Sequence, residues 1–348
     1  GRCAIDIDGP AKVTGALPFT CDRADADTLY GAFVWSQHSR AKILSMDFSA
    51  VESAAGVVRV LTHKDVPGRN TYATFNPEQP VFCDTEVNFL GDMLALVVAD
   101  TEAHARAAAK LARVEYEPLP GVFEIEDSYA LGGRQSIRTI DFSSGDLAAA
   151  EKTPGLQTFE GDYYFERQEH AYIEPECAIG EYDESTGVVR VTTCTQSPFE
   201  IQNMLAPILD LPAERVRVTG APIGGGDSYV EPHAAIAAFT LRRKVQIPLT
   251  RRESLILSTK RHRYHNHYRF GVDGNGIFRT LEAKITSDAG PYTGLSGGVL
   301  EQGCIFALGP YRIDAAKLHA CTVRTNTVQG GAFRGFGINQ SANCIETM

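Results

Sequence analysis

No apolar run in this 348-residue chain is longer than a β-strand needs; residues 94–99 are among the longest, and a membrane-spanning helix would require about 20 in a row. The hydrophobic residues must therefore be buried by packing many short elements against one another, the pattern of a mixed α and β protein. That length predicts two or three packed units with ample core. With 43% hydrophobic and 22% charged residues, the chain is neither largely disordered nor collagen-like. Lysine and arginine number 33 against 43 aspartates and glutamates, a net charge of −10. Such a surface repels phosphate backbones and anionic lipid, which argues against nucleic-acid and membrane roles. Gly1 onward shows neither a charged leader region nor an apolar one, so a cytoplasmic protein is expected; the missing initial methionine leaves room for a removed leader or a preceding domain. The eight cysteines form no C-x-x-C pair, so reduced and mostly buried thiols are expected.

The periodicity divides the chain at about residue 120. Before it, 57–61 and 94–98 have strand length and apolarity, while 101–112 place Ala103, Ala107, Ala108 and Leu111 on one helical face behind Asp100 and Thr101 at the N-cap position. The alternation from Arg113 to Glu117 predicts a strand that Pro118 and Pro120 close. Residues 121–160, with Gly132-Gly133 and Ser143-Ser144-Gly145, read as a connecting segment. Beyond it come a hairpin turned at 183–187, a helix on Ile201, Met204, Leu205 and Ile208, a strand at 216–218, and a hairpin turned at Asp273-Gly-Asn-Gly. The fold class is α+β.

Two glycine-rich segments carry most of the chemical information. Gly224-Gly225-Gly226 follows a strand and lets backbone N–H groups approach an anion, although a plain tight turn explains it equally and no Gly-Lys-Ser/Thr follows to make a phosphate loop. In Gly330-Gly331-Ala332-Phe333-Arg334-Gly335-Phe336-Gly337, an always-charged guanidinium fork sits among glycines, suited to an anionic or oxo ligand or to a surface turn. Gly294-Leu295-Ser296-Gly297-Gly298 matches the G-x-S-x-G of hydrolases, but no apolar strand precedes it. In the basic run 260–269, His265 and His267 share a strand face without a local carboxylate or cysteine to complete a metal set, so no metal ligands are assigned. The pairs Glu115/Glu117 and Glu174/Glu176 read as surface carboxylates without chemistry.

Taken together, KVTG at 12–15, VVRVLTHKDVPG at 57–68, residues 91–120, RQEHAYIEPE at 167–176, TQSP at 195–198, IGGG at 223–226, LTRRESLILSTKRH at 249–262 and GGAFRGFG at 330–337 resemble the molybdopterin-binding subunit of the molybdenum hydroxylases, the family of xanthine dehydrogenase and aldehyde oxidoreductase. The resemblance implies an α/β hammerhead domain over 1–120 and the first molybdopterin-binding domain over 121–348. It implies hydroxylation of a heteroaromatic, purine-like carbon or an aldehyde carbon with oxygen from water. Gln196, Gly225, Gly226, Phe333 and Arg334 match cofactor-binding positions, Phe336 matches the aromatic on which a planar substrate stacks, and Gln302 lies where many relatives carry a substrate-polarising arginine.

The same resemblance implies molybdopterin in its cytosine dinucleotide form. Iron–sulfur (2Fe-2S) and flavin (FAD) groups belong to partner domains or subunits, and a second molybdopterin domain carries the catalytic glutamate outside this chain. No catalytic residue is therefore assigned here, and the chain alone is expected to be inactive. One departure bears on the cofactor: where the family reads G-G-G-F-G-G-K-x-D, Gly226 is followed at once by Asp227, about five positions fewer. A chain altered in this way also fits an assembly or binding subunit that has lost its cofactor.

Overall fold

A computed structural model describes residues 3–73, 76–130, 137–225 and 229–348. The chain forms two compact units, one of Gly1–Leu119 with Ala171–Ser258 and the other of Pro120–His170 with Thr259–Met348.

The first unit is built on a seven-stranded mixed sheet in the order Val216–Gly220, Val188–Thr193, Cys177–Asp183, Val245–Pro248, Leu29–Trp35, Met93–Ala99 and Val57–Leu61. Met93–Ala99 is buried along its whole length, which is why it reads as a continuous apolar run rather than an alternating one. The helix Glu102–Ala109 follows, capped by the Thr101 hydroxyl, which accepts the His104 N–H; Ala105 and Ala108 face inward. Leu29–Trp35 pairs antiparallel with Met93–Ala99 on one side and parallel with Val245–Pro248 on the other, so residues before 120 and after 170 share one sheet. Arg113–Pro118 forms a strand, as its alternation predicts, in a separate three-stranded sheet. Asp183 turns the first expected hairpin by accepting the N–H groups of Ser185 and Thr186.

In the second unit, five strands run in the order Gln157–Phe165, Arg263–Val272, Phe278–Asp288, Ala315–Val323 and Arg138–Ser144. The helices Ser296–Ile305 and Ile338–Thr347 pack on the sheet around Tyr264, Tyr268, Ile285 and Leu300. Arg138–Ser144 corrects the reading of 121–160 as a mere connection: it pairs with Ala315–Val323 as an outer strand. Its side chains are exposed except the half-buried Ile140, so it lacks the apolar signature of a strand. The basic run forms a central strand. Tyr264, Asn266, Tyr268 and Phe270 point inward, while Arg263 meets Glu124 and Asp288, and Arg269 meets Glu151, Glu160 and Glu282. Asp288, fully buried, accepts from Arg167, Arg263, Gly290 N and the Thr325 hydroxyl, a charge with every side satisfied.

Candidate functional site

In the first unit, parallel strands Val188–Thr193 and Val216–Gly220 end side by side, with Thr193 opposite Gly220, and each leads toward a helix, Pro198–Leu209 and Glu231–Leu241. The crevice outside the carboxyl ends of parallel strands is where open sheets hold ligands. Gln196 lies in the first of these loops, exposed, with its carboxamide in no hydrogen bond among the described residues. Its loop is shaped by Ser197 N donating to the Thr195 hydroxyl oxygen. Ala221 N donates to Thr193 O and ties the two loops together.

The glycine loop is held from below by Glu174. Its carboxylate accepts the N–H groups of Thr20 and Gly224, each at 3.0 Å, and its own N–H donates to Gly224 O at 3.3 Å. A side chain at Gly224 would collide with Glu174, since its Cβ would lie 2.5 Å from the Glu174 Cβ. Gly225 has φ +115°, and a Cβ there would lie 3.2 Å from the Tyr172 ring, so only glycine takes this conformation freely. Burial raises the Glu174 carboxyl above its usual range and pushes the neighbouring Cys194 thiol up to about 11, so that thiol stays protonated. Glu176 is also buried. The surface reading of this pair was therefore incorrect: Glu174 is an internal anchor of the glycine loop. Gly226 lies outside the described residues.

The second unit places Phe333, Arg334, Phe336 and Gln302 around one loop and one helix. Gly330–Gly331 pairs in parallel with Lys260–Arg261, an approach that requires glycine: a Cβ at Gly331 would lie 2.1 Å from Thr259 Oγ1 and one at Gly330 2.5 Å from the His262 ring. Phe333 is half-buried, stacked on His170 with ring centres 4.0 Å apart, and the Arg261 guanidinium carbon lies 3.9 Å from the Phe333 ring centre. Arg334 is exposed and forms no hydrogen bond or ion pair among the described residues. Phe336 has φ +50°, a costly conformation for a bulky residue and one that clusters at ligand sites. Its ring lies against Gly298 of the helix Ser296–Ile305. Gln302 stands four residues on from Gly298, on the same helical face, with its amide uncommitted among the described residues.

Other signals resolve as structure. Ser296 Oγ lies 2.7 Å from His262 Nε2, the spacing of a nucleophile and its base, but both residues are fully buried and Ser296 begins a helix. Burial lowers the His262 pKa to about 4. This buried pair gives the hydrolase pattern no access to substrate. His265 and His267 do meet carboxylates brought in from elsewhere in the chain: Asp162 contacts both, and Glu126 accepts from His265 Nδ1 at 2.8 Å. No group of three or more His, Cys, Asp or Glu among the described residues could hold a metal ion. His170, Arg261 and Glu174 were the residues the sequence reading missed, because each acts on a partner far along the chain and no local spacing marks it.

The family model described as "Aldehyde oxidase and xanthine dehydrogenase, a/b hammerhead domain" matches residues 14–120, and "Molybdopterin cofactor-binding domain" matches 132–348. The chain is 35% identical over 355 residues to a probable xanthine dehydrogenase subunit of Bacillus subtilis, covering 98% of this chain and 47% of that one. It is 31% identical over 357 residues to the nicotinate dehydrogenase large molybdopterin subunit of Eubacterium barkeri, covering 99% of this chain and 84% of the relative. The fold matches the aldehyde oxidoreductase from Desulfovibrio gigas with a TM-score of 0.91 at 29% identity, over 96% of this chain and 40% of that one. The chain thus spans about half or less of two of these proteins and most of the third. Its α+β fold and these matches place it with the oxidoreductases: the chain belongs to the molybdenum hydroxylase family, as a molybdopterin-binding subunit.

Proposed function

We propose that the chain holds a molybdopterin cofactor for the hydroxylation of a heteroaromatic, purine-like carbon or an aldehyde carbon with oxygen from water. The observation that carries this reading is that each unit presents an exposed, uncommitted polar side chain at a glycine-rich loop, Gln196 beside Gly224-Gly225 in the first and Arg334 within 330–337 in the second. The residues fit the group chemically. The Gln196 carboxamide can donate to an oxo ligand, Gly225 leaves its backbone open to close approach, and the Arg334 fork suits an oxo or phosphate oxygen. Phe333 fixes the Arg334 loop, while Phe336 offers a π-face to a planar substrate and Gln302 a neutral polar contact. When bound, the cofactor supplies the redox chemistry. The protein's part is to hold it still, since misplacing reacting atoms by roughly an ångström costs about 10²-fold in rate.

The base is a glutamate of a second molybdopterin domain, and electrons leave through 2Fe-2S and FAD groups in partner chains of a cytoplasmic, multi-subunit enzyme. The names of the relatives support both the subunit organisation and a substrate range that includes xanthine, nicotinate and aldehydes. Among the described residues no helix is long and apolar enough to cross a membrane. The cofactor takes the cytosine dinucleotide form.

The test is to purify the chain with its accompanying subunits, measure molybdenum and pterin nucleotide, and follow dye reduction with xanthine, nicotinate and an aldehyde. Near-stoichiometric molybdenum with turnover of one class is expected. Absence of both metal and pterin from every preparation overturns the reading in favour of a cofactor-free assembly subunit. In the loaded protein, Arg334→Ala should weaken molybdenum retention about 10-fold or more, the loss of a charge-assisted hydrogen bond.

A further inference from the structure

We propose that Arg261 and His170 are positioning residues that grip the Phe333 ring between them and so fix the loop that presents Arg334. Two groups that each lie about 4 Å from one ring centre cannot share a face without overlapping. The imidazole of His170, tilted by 29° at 4.0 Å, and the guanidinium of Arg261 at 3.9 Å therefore occupy opposite faces of Phe333. Each side of this slot is itself tied down. Arg261 Nε donates to Gln168 Oε1 at 2.8 Å, its backbone N–H donates to Gln168 O, and its main chain lies in register with Gly331. His170 Nε2 donates to Ala332 O at 2.9 Å, the residue just before the gripped ring. The flanking Lys260 forms an ion pair with Glu169, closing the same two segments against each other.

The residues after the slot are held by two short backbone turns, Phe336 N donating to Phe333 O and Ile338 N to Gly335 O, and, among the described residues, by no side-chain hydrogen bond of Arg334. Gly335 and Gly337 sit at φ +98° and +95°, Phe336 is in the left-handed region, and Arg334 is bonded to nothing among the described residues. A buried guanidinium over an aromatic face is attractive and, with its Nε bonded to Gln168, directional. The grip on Phe333 is thus what sets where the next residue, Arg334, can reach. Only the link from this grip to the cofactor rests on the function proposed above.

Trypsin supplies a readout that needs no cofactor, because it cuts after an exposed arginine and the rate at Arg334 reports how often the loop opens. With the purified protein in its native assembly, cleavage at the Arg334–Gly335 bond is followed by mass spectrometry in Arg261→Met and His170→Ala. Each is expected to speed the cut by between about 2-fold and 30-fold, the worth of one cation–π contact or stacked pair. In a Phe333→Leu background the same substitutions should add little, because their effect runs through that ring. Arg261→Lys should restore part of the protection. Should Arg261→Met not fold, His170→Ala tests the slot from its other face.

An unchanged cleavage rate in both single variants, or a speed-up that persists in full with Phe333→Leu, overturns the proposal. Molybdenum lost on dialysis provides the second arm. Loss that follows the order of the cleavage rates ties the slot to the cofactor, whereas faster cleavage with unchanged retention leaves the slot standing and removes this loop from the cofactor site.

Discussion

The two glycine-rich loops are placed by different means. The Gly224-Gly225 loop leaves the end of a parallel strand and is set by backbone pairing, with the single carboxylate of Glu174 beneath it. The loop at 330–337 has only a two-residue strand to guide it and depends on side chains: the Phe333 slot, glycines packed without room for a Cβ, and the buried Asp288 nearby. A loop positioned by a sheet tolerates changes beside it. One positioned by packing is vulnerable to single atoms, and substitution should reveal this contrast.

The largest effect is expected at Asp288. Replacing it by asparagine leaves Arg167 and Arg263 facing each other without their shared counter-charge, at a cost of about 3–5 kcal/mol in urea unfolding. Glu174→Gln, the corresponding change in the first unit, should cost about 1–2 kcal/mol, since backbone pairing remains. A Glu174 change as costly as the Asp288 one would erase the contrast.

Acid acts on both units through one buried histidine each. His233, packed among Phe33 and Phe82 and bonded to Val81 O, and His262 both have pKa values lowered to about 4, chiefly by burial. A histidine in the unfolded chain takes its proton near pH 6.5. The stability these residues contribute is therefore complete above pH 6.5 and is lost as pH falls toward 4, by roughly 2 kcal/mol each at pH 5. Urea midpoints of His233→Phe and His262→Gln at pH 7 and pH 5 check this, and each variant should show a shallower acid dependence than the parent protein.

Smaller effects sharpen the comparison at the glycines. Gly331→Val forces atoms onto Thr259 and should cost about 1–3 kcal/mol by overpacking, read as a lower unfolding temperature. Gly225→Ala brings a Cβ to 3.2 Å from Tyr172, a tight contact that a small shift of the ring relieves, and carries mainly the positive-φ backbone penalty, about 1–2 kcal/mol. Calorimetry of the two variants should rank them in that order.

Much of the first unit was legible because Met93–Ala99, the helix behind Thr101 and the hairpin at Asp183 announce themselves within a dozen residues. The same holds for the central hairpin of the second unit, turned at Asp273. Arg138–Ser144 was not legible because an outer strand with exposed side chains needs no apolar alternation. At the sites, the motif strings located Gln196, Gly225 and the 330–337 loop, but not what supports them. Glu174 meets Gly224 across fifty residues, and His170 meets Ala332 across more than a hundred and fifty. Periodicity reports which face a residue occupies, and it carries no information on which distant residue faces it.

The pairing of Leu29 with Val245 has a consequence for synthesis. A ribosome releases the first of these residues long before the second, so the nascent chain carries a bare row of amides and carbonyls at Leu29 and Tyr30 until its neighbour emerges. Any recombinant fragment that stops near residue 120 keeps that row permanently uncovered and should precipitate or recruit foreign strands.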